Sequence, residues 1–304
     1  MTILDQPEFL AGDLCAGIGL FDGVHLGHQA VLLRVIDEAA KNSARSMAIT
    51  FDVHPNQIVA PSHTPPFIQS LDQRLKSIER LGFEVALVLR FDKALSQLSP
   101  TEFVQKILQA SGRITRVCIG ADFFFGHRRQ GNADLLTELG AKSGFEVCRL
   151  PPVMIDGQAA SSTRIREAVQ QGDFIAASKL LGRAYTLAGK VCRGEGRGRT
   201  IDVPTANLDV VGLAKPPNGV YSARTRVDGR QFAVAVNIGT RPTFGAQLEA
   251  TVEAHLIGYD GDLYGTTLEL ELTGLLRKEC KFATVEALRS QIAKDIESAR
   301  HVIS

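Results

Sequence analysis

The chain has 304 residues, with 34 Lys+Arg against 33 Asp+Glu and a formal net charge of +1. At about 150 residues per domain that length corresponds to two domains, each able to enclose a core. With 44% hydrophobic and 22% charged residues, a disordered or fibrous chain is excluded, and the near-neutral balance excludes a broad electrostatic footprint for nucleic acid or an anionic membrane.

In chain order, residues 14–19 read as a buried strand. Ala30, Val31, Leu32, Val35, Ile36 and Ala39 then fall at the spacing of one helix face. Further strands are predicted at 46–51 and 84–91. Ser99, Pro100 and Glu102 form a helix start, with Ser99 as cap, Pro100 in the first helical position and Glu102 closing a capping box. Strands at 116–120 and 145–150 flank a helix at 133–142. This alternation predicts an α/β domain, a doubly wound parallel sheet that binds ligands at the carboxyl ends of its strands.

The pattern changes near Leu181-Gly182-Arg183. Short alternating runs follow at 219–227, 230–237, 250–257 and 267–272. A closing helix at 285–303 has Leu288, Ile292 and Ile296 on one face. Strands followed by one helix predict a small antiparallel β-barrel with a C-terminal helix. The expected domains are 1–183 and 184–304.

Five cysteines, Cys15, Cys118, Cys148, Cys192 and Cys280, lie far apart with no C-x-x-C pair, as expected of reduced thiols in a cytosolic protein. The first residues lack the basic and apolar regions of a secretory signal, and the apolar stretch 85–89 is far too short to span a bilayer. A soluble, cytoplasmic protein without nucleic-acid or membrane partners is expected.

Four segments of the first half carry candidate phosphate and ring chemistry. After the first strand comes Leu20-Phe21-Asp22-Gly23-Val24-His25-Leu26-Gly27-His28, running into a helix. Two imidazoles at a helix start beside glycines make a polyphosphate cradle, because the helix end offers unpaired N–H groups and partial positive charge. The plainer alternative is that His28 only caps the helix. Gly17, Gly19 and Gly23 imitate a dinucleotide fingerprint, but the last interval is one residue too long, and no Walker A sequence occurs. Residues 50–55 (Thr-Phe-Asp-Val-His-Pro) lead out of the second strand. Residues 120–131 combine Asp122, Phe123, Phe124 and Phe125 with Arg128 and Arg129, aromatics to stack on a planar ring and cations to meet phosphate, although Phe residues of such a loop often plug a core instead. Ser161, Ser162, Thr163, Arg164 and Arg166 open another helix, either as an anion site or as ordinary capping with exposed arginines.

The second half opens with glycines interleaved with cations over residues 189–199, including Gly196 and Gly198, either a flap over phosphates or a solvated basic loop. In Pro204-Thr205-Ala206-Asn207 a hydroxyl and an amide two residues apart share one face of an extended strand, where they can meet a metal ion and ATP oxygens, unless they form a local turn. Glu253 and His255 alternate with Val252, Ala254 and Leu256, so Glu253 is either a general base for an attacking alcohol or a solvent-facing strand residue.

Taken together and in order, G-x-F-D-G-V-H-x-G-H, T-F-[DE]-x-H-P, G-x-D-F-x-F-G and S-S-T-x-I-R resemble the bacterial bifunctional riboflavin kinase/FAD synthetases, and so do G-R-G, P-T-A-N, G-V-Y, N-I-G-x-R-P-T-F, V-E-x-H-L, D-L-Y-G and L-R-x-E-x-K-F. The resemblance spans nearly the whole chain. It implies a nucleotidyltransferase-type sheet that transfers AMP from ATP to FMN, giving FAD and pyrophosphate, and a riboflavin kinase-like barrel that makes FMN from riboflavin and ATP, both with Mg²⁺. It further implies that His25 and His28 hold ATP phosphates together with Phe21, Asp22 and Gly23, that Ser162, Thr163 and Arg166 clamp them from the other side, and that Asp122, Phe123, Phe125 and Arg129 lie near the flavin. In the second domain it implies Thr205 and Asn207 at Mg²⁺–ATP, Gly196 and Gly198 at the phosphates, and Glu253 as the base. Arg277, Lys281 and Phe282 fall in the late motif before the closing helix. Asp202 stands where the family generally has Gly, which leaves as alternatives an adenylyltransferase with an impaired kinase domain and a non-catalytic flavin-binding or regulatory protein.

Overall fold

The computed structural model describes residues 1–193, 203–242 and 248–301. Six strands, β1 (Thr2–Leu4), β2 (Leu10–Ile18), β3 (Arg45–Phe51), β4 (Val85–Leu89), β5 (Gly112–Gly120) and β6 (Glu146–Leu150), form a parallel sheet in the order β1-β4-β3-β2-β5-β6. Every residue of β4, Val-Ala-Leu-Val-Leu, is buried, as a parallel strand covered on both faces requires. Alternation along β2 sends Leu14, Ala16 and Ile18 to one core cluster and Cys15 to the other. Helices α1 (Leu26–Lys41) and α2 (Leu71–Arg80) contribute Val31, Leu32, Val35 and Ile78 to the cluster of Cys15. Residues 103–108 and helix α3 (Ala133–Ser143) build the opposite one. The sheet is therefore doubly wound. Its chain order reverses between β2 and β5, and the crevice at the carboxyl ends of those two strands is where such sheets bind ligands.

Two elements of this sheet escaped the sequence pattern. β1, three residues long, adds to the edge by pairing with β4, and α2 has only ten residues. The capping box at Ser99 is present: the Ser99 hydroxyl accepts from the Glu102 N–H at 3.2 Å, and Glu102 accepts from the Ser99 N–H at 3.0 Å. That backbone bond, helped by Lys106, pulls the Glu102 carboxyl down to about 2. The helix it starts is short, Pro100–Phe103, and widens into a π turn at Val104–Leu108. A two-stranded hairpin, β7 (Met154–Ile155) and β8 (Gln158–Ala159), precedes helices α4 (Ser162–Gln171) and α5 (Phe174–Leu181).

The chain divides into two compact units, Met1–Ser162 and Thr163–Ser304, so α4 and α5 group with the barrel strands rather than with the sheet. In the second unit β9 (Thr186–Cys192), β10 (Ala206–Asp209), β11 (Gly219–Val227), β12 (Arg230–Pro242), β13 (Leu248–Leu256) and β14 (Thr267–Lys278) close an antiparallel barrel in the order β10-β13-β12-β11-β14-β9. β9 closes on β10, and Gly189 permits it, since a Cβ there would lie 2.5 Å from the Asp209 carbonyl oxygen. The β11–β12 hairpin turns on Asp228-Gly229, both at positive φ, the backbone that matches strand twist. Val234, Val236, Ile238, Val252, Ala254 and Leu256 are buried inside. Helix α6 (Val285–Arg300), capped by Thr284, completes the unit.

Candidate functional site

In the first unit the chain leaves β2 through a tight loop and enters α1 with His25 as the N-cap. The His25 Nδ1 accepts the His28 N–H at 3.3 Å, so the neutral His25 ring carries its hydrogen on Nε2. His25, not His28, is thus the cap. The two imidazoles stack with centroids 3.6 Å apart, and Phe21 meets His28 edge-on at 5.5 Å. Gly27 leaves room for this, because a Cβ there would come within 3.0 Å of the His25 ring. Phe21 and Val24 both adopt positive φ, 51° and 40°, which is unusual for residues with a Cβ. Asp22 is buried, and its carboxylate accepts the N–H groups of Ile68 (2.9 and 3.1 Å) and Gln69 (3.2 Å). Its carbonyl oxygen accepts the Ser162 hydroxyl at 3.0 Å, which ties the end of the unit to the His25 loop.

Next to this loop is a cavity of about 840 Å³. Ile18 and Phe51, at the carboxyl ends of β2 and β3, form its floor, with His54, Phe91, Phe123, Phe125 and Arg129 among its walls. Phe123 and Phe125 stack at 5.6 Å, and Phe125 also packs on Phe103. The loop is pinned by the bridge between Phe125 and Gly131 and by the His127 N–H, which donates to the Leu98 carbonyl at 2.7 Å. The Phe residues therefore both plug the core and line the cavity. Arg129 lies 4.5 Å over the exposed Phe124 ring, whereas Asp122 is exposed at the turn before Phe123. Thr163 is exposed and Arg166 half-buried on α4, in the second unit.

In the second unit, Asn207 of β10 pairs with Glu253 of β13, and Glu253 with Asn237 of β12. Opposed residues of antiparallel strands share a face with Cβ atoms about 5 Å apart, so the three side chains form a row across the outside of the barrel. Thr205 stands just before β10. The segment holding it is fixed by the His255 Nδ1, 2.8 Å from the Pro204 carbonyl oxygen. A cavity of about 480 Å³ opens between this wall and α6, lined by Thr205, Asn237, Glu253, Arg277 and Phe282 and by Leu288, Ile292 and Ile296. Arg277 donates from Nε to the buried Asp295 at 3.0 and 3.1 Å, adds a 2.9 Å ion pair to it, and lies over Phe282. A second cavity, about 370 Å³, occupies the barrel mouth between Val191, Ala254, Leu256 and residues 259–264. Thr205 borders both. Gly196, Gly198 and Asp202 lie outside the described residues.

Family models for FAD synthetase and for riboflavin kinase match residues 10–164 and 181–303. A bifunctional riboflavin kinase/FMN adenylyltransferase of Pseudomonas fluorescens is 36% identical over 285 residues, 94% of this chain and 91% of that protein. The protein of the same description from Escherichia coli K12 is 34% identical over 284 residues, 93% and 90% of the two chains. The chain belongs to the bifunctional riboflavin kinase/FMN adenylyltransferase family. A crystal structure described as a macrolide-efflux protein from Streptococcus pneumoniae has the same fold, with a TM-score of 0.84, 28% identity and 99% of both chains covered.

Within this bifunctional framework, the fold brings out pairings that the motifs did not show. Asn237, which opens the N-I-G-x-R-P-T-F motif, joins Glu253 through strand register. Asp295 faces Arg277 from a helix eighteen residues later. Arg74 is only 1% exposed, on α2 beneath the His25 loop. It stands on the apolar stripe Leu71, Leu75 and Ile78, and a cation at that position of a helix face was its one sequence signal.

Proposed function

We propose that this chain carries out two successive reactions, phosphorylation of riboflavin to FMN and transfer of AMP from ATP to FMN, giving FAD and pyrophosphate. The observation that carries this reading is the presence in one chain of both family-model matches, each over a unit with an apolar-lined cavity beside its motif residues. The efflux description belongs to the S. pneumoniae protein, whereas the family models and curated relatives named above concur on flavin chemistry.

For adenylyl transfer, a phosphate oxygen of FMN attacks the α-phosphorus of ATP and the bond to pyrophosphate breaks. Such transfers need positioning and charge stabilisation more than a covalent intermediate. We assign His25 Nε2–H, the His28 ring and the start of α1 to the charge developing on the α-phosphate and pyrophosphate. The backbone of Phe21, Asp22 and Gly23 walls the phosphates, the Asp22 carboxylate being engaged with Ile68 and Gln69. Ser162, Thr163 and Arg166 are assigned to the same phosphates. The 840 Å³ cavity suits the isoalloxazine rings against Phe123 and Phe125, with Arg129 near the FMN phosphate and Asp122 at the rim.

For the kinase step, Glu253 takes the proton of the ribityl hydroxyl as its oxygen attacks the γ-phosphorus and ADP departs. Because Thr205 borders both barrel cavities, we place the nucleotide at the barrel mouth and the flavin against α6, with transfer at their junction. The Thr205 hydroxyl and Asn207 amide oxygen are hard donors that fit Mg²⁺ arriving with ATP phosphates; the ion would supply charge neutralisation there. Gly196 and Gly198 are assigned to the flap over those phosphates. We take 1–183 and 184–304 as the two catalytic domains, and the cytoplasm as the location, supported by five free cysteines.

An impaired kinase rests on Asp202 alone, and the family match through residue 303 together with the Asn207–Glu253 pairing favours an active one. Incubation of the purified chain with riboflavin, Mg²⁺ and ATP, then with FMN in place of riboflavin, tests both steps by chromatography of the flavins. FMN and FAD are expected from riboflavin, and FAD from FMN. Absence of both products from folded protein refutes the reading.

A further inference from the structure

Among the described residues, the bulkiest fully buried side chain is a charged one, Arg74. Its two terminal nitrogens donate to the carbonyl oxygens of Leu20 at 2.6 Å and Phe51 at 2.7 Å. Leu20 is the second residue beyond β2, and Phe51 is the last of β3. There the parallel ladder ends, with Gly19 N–H donating to Ile49 and Asp52 N–H to Leu89. Carbonyls past a sheet end need other donors when water is excluded, and one planar guanidinium supplies both. The Thr50 hydroxyl adds a second bond to Leu20 at 3.0 Å. Phe67 packs 5.4 Å from the guanidinium, and the nearby charges of Asp22 and Asp52 oppose the cost of its burial.

Neither of those carboxylates is spent on Arg74 alone. Asp22 holds the N–H groups of Ile68 and Gln69, and Asp52 those of Val53 and Phe91. The bond to Leu20 stands directly before Phe21, the first of the two positive-φ residues that carry the chain to His25. Such backbone persists only where its surroundings over-determine it. For merely packing α2 on the sheet an apolar residue would serve, since burying a cation is costly. The cation is needed for the two carbonyls.

We propose that Arg74 is a positioning residue for adenylyl transfer, clamping the carboxyl ends of β2 and β3 so that the His25–His28 loop stays in register with the Phe51–His54 wall of the flavin cavity. This rests on the reading of that site as the FMN adenylyltransferase centre. Arg74 touches neither substrate, so its loss acts on kcat through geometry. In the full-length protein, Arg74→Lys keeps the charge but reaches only one of the two carbonyls. A displacement of the loop on the scale of 1 Å lowers kcat for FMN-to-FAD conversion by roughly 10- to 100-fold, with the KM for FMN nearly unchanged and riboflavin phosphorylation by the same sample intact. Thr50→Val, which removes one bond to Leu20 and leaves Arg74 in place, lowers the same kcat by about 2- to 10-fold. A kcat for FAD formation unchanged in folded Arg74→Lys overturns the proposal. So does a loss that follows the melting temperature and is reversed by cooling, which is what a purely structural residue gives. If Arg74→Lys does not accumulate folded, Thr50→Val decides, and an unchanged kcat there overturns it. Wild-type protein that forms FMN but no FAD refutes the reading of the site itself, a failure distinct from either.

Discussion

The two sites are built on opposite principles. In the first unit the groups proposed for adenylyl transfer sit where regular structure stops: His25 and His28 at a helix start, Phe123 and Phe125 in a loop, with Asp22 and Arg74 buried beneath. Their spacing depends on single contacts such as the Asp22 carboxylate on Ile68 and the Arg74 guanidinium on Leu20 and Phe51. In the second unit Asn207, Glu253 and Asn237 lie on neighbouring strands of a closed barrel, and ladder register fixes their spacing. A loop site depends on buried polar anchors to hold it. A ladder site inherits its geometry from many equivalent backbone bonds, so its individual side chains can be exchanged with little structural cost.

That contrast can be broken in four ways. Glu253→Gln, a near-isosteric change on the ladder, should lower riboflavin phosphorylation by about 10²- to 10⁴-fold without moving the melting temperature, and should leave FMN-to-FAD conversion intact. Loss of both activities in folded protein would end the assignment of separate sites. His28→Ala should lower FAD formation by about 10²-fold and spare the kinase, which steady-state assays with FMN and with riboflavin resolve. Asp295→Asn removes the charge that faces Arg277; it should raise the KM for riboflavin more than it lowers kcat and cost about 1–3 kcal/mol by thermal melting, allowing for the partial exposure of Arg277. If kcat falls instead, Arg277 acts on the reacting atoms. The smallest effect concerns Glu102. Its folded pKa of about 2 lies below the ordinary 4.5, so its contribution to stability is present above about pH 4.5 and is lost as pH falls toward 2. Glu102→Gln should flatten the acid limb of a stability profile over that range and leave the kinase step unaffected at neutral pH.

Much of this was legible in the sequence because hydrophobic period and motif order survive without tertiary information. The strands β3, β5 and β11, the helix α3, the capping box at Ser99 and the alternation of Glu253 with Val252 and Ala254 all arise from local pattern. The ends were less legible. β12 and β14 run to Pro242 and Lys278, beyond their apolar alternation, because a neighbouring strand continues the pairing whatever the side chains. β1 is too short to show a period, whereas α2 carries one in Leu71, Leu75 and Ile78 that the charge of Arg74 interrupts. Arg74 was invisible for a different reason: a cation on an apolar stripe becomes meaningful only once the two carbonyls it meets are in place.

Composition, hydrophobic period and the order of short motifs specify the number and class of the domains and the family, and they single out the residues proposed for phosphate chemistry. Tertiary contacts, by contrast, are what make His25 cap α1 and stack on His28, turn Asp22 inward to Ile68 and Gln69, and bring Asn237 to Glu253. They also make Asp295 hold Arg277, and Arg74 span two strand ends. Each of these is a pairing between groups distant in the chain or a choice among rotamers. Both are set by which donors and acceptors burial brings within about 3 Å, and no local pattern encodes that.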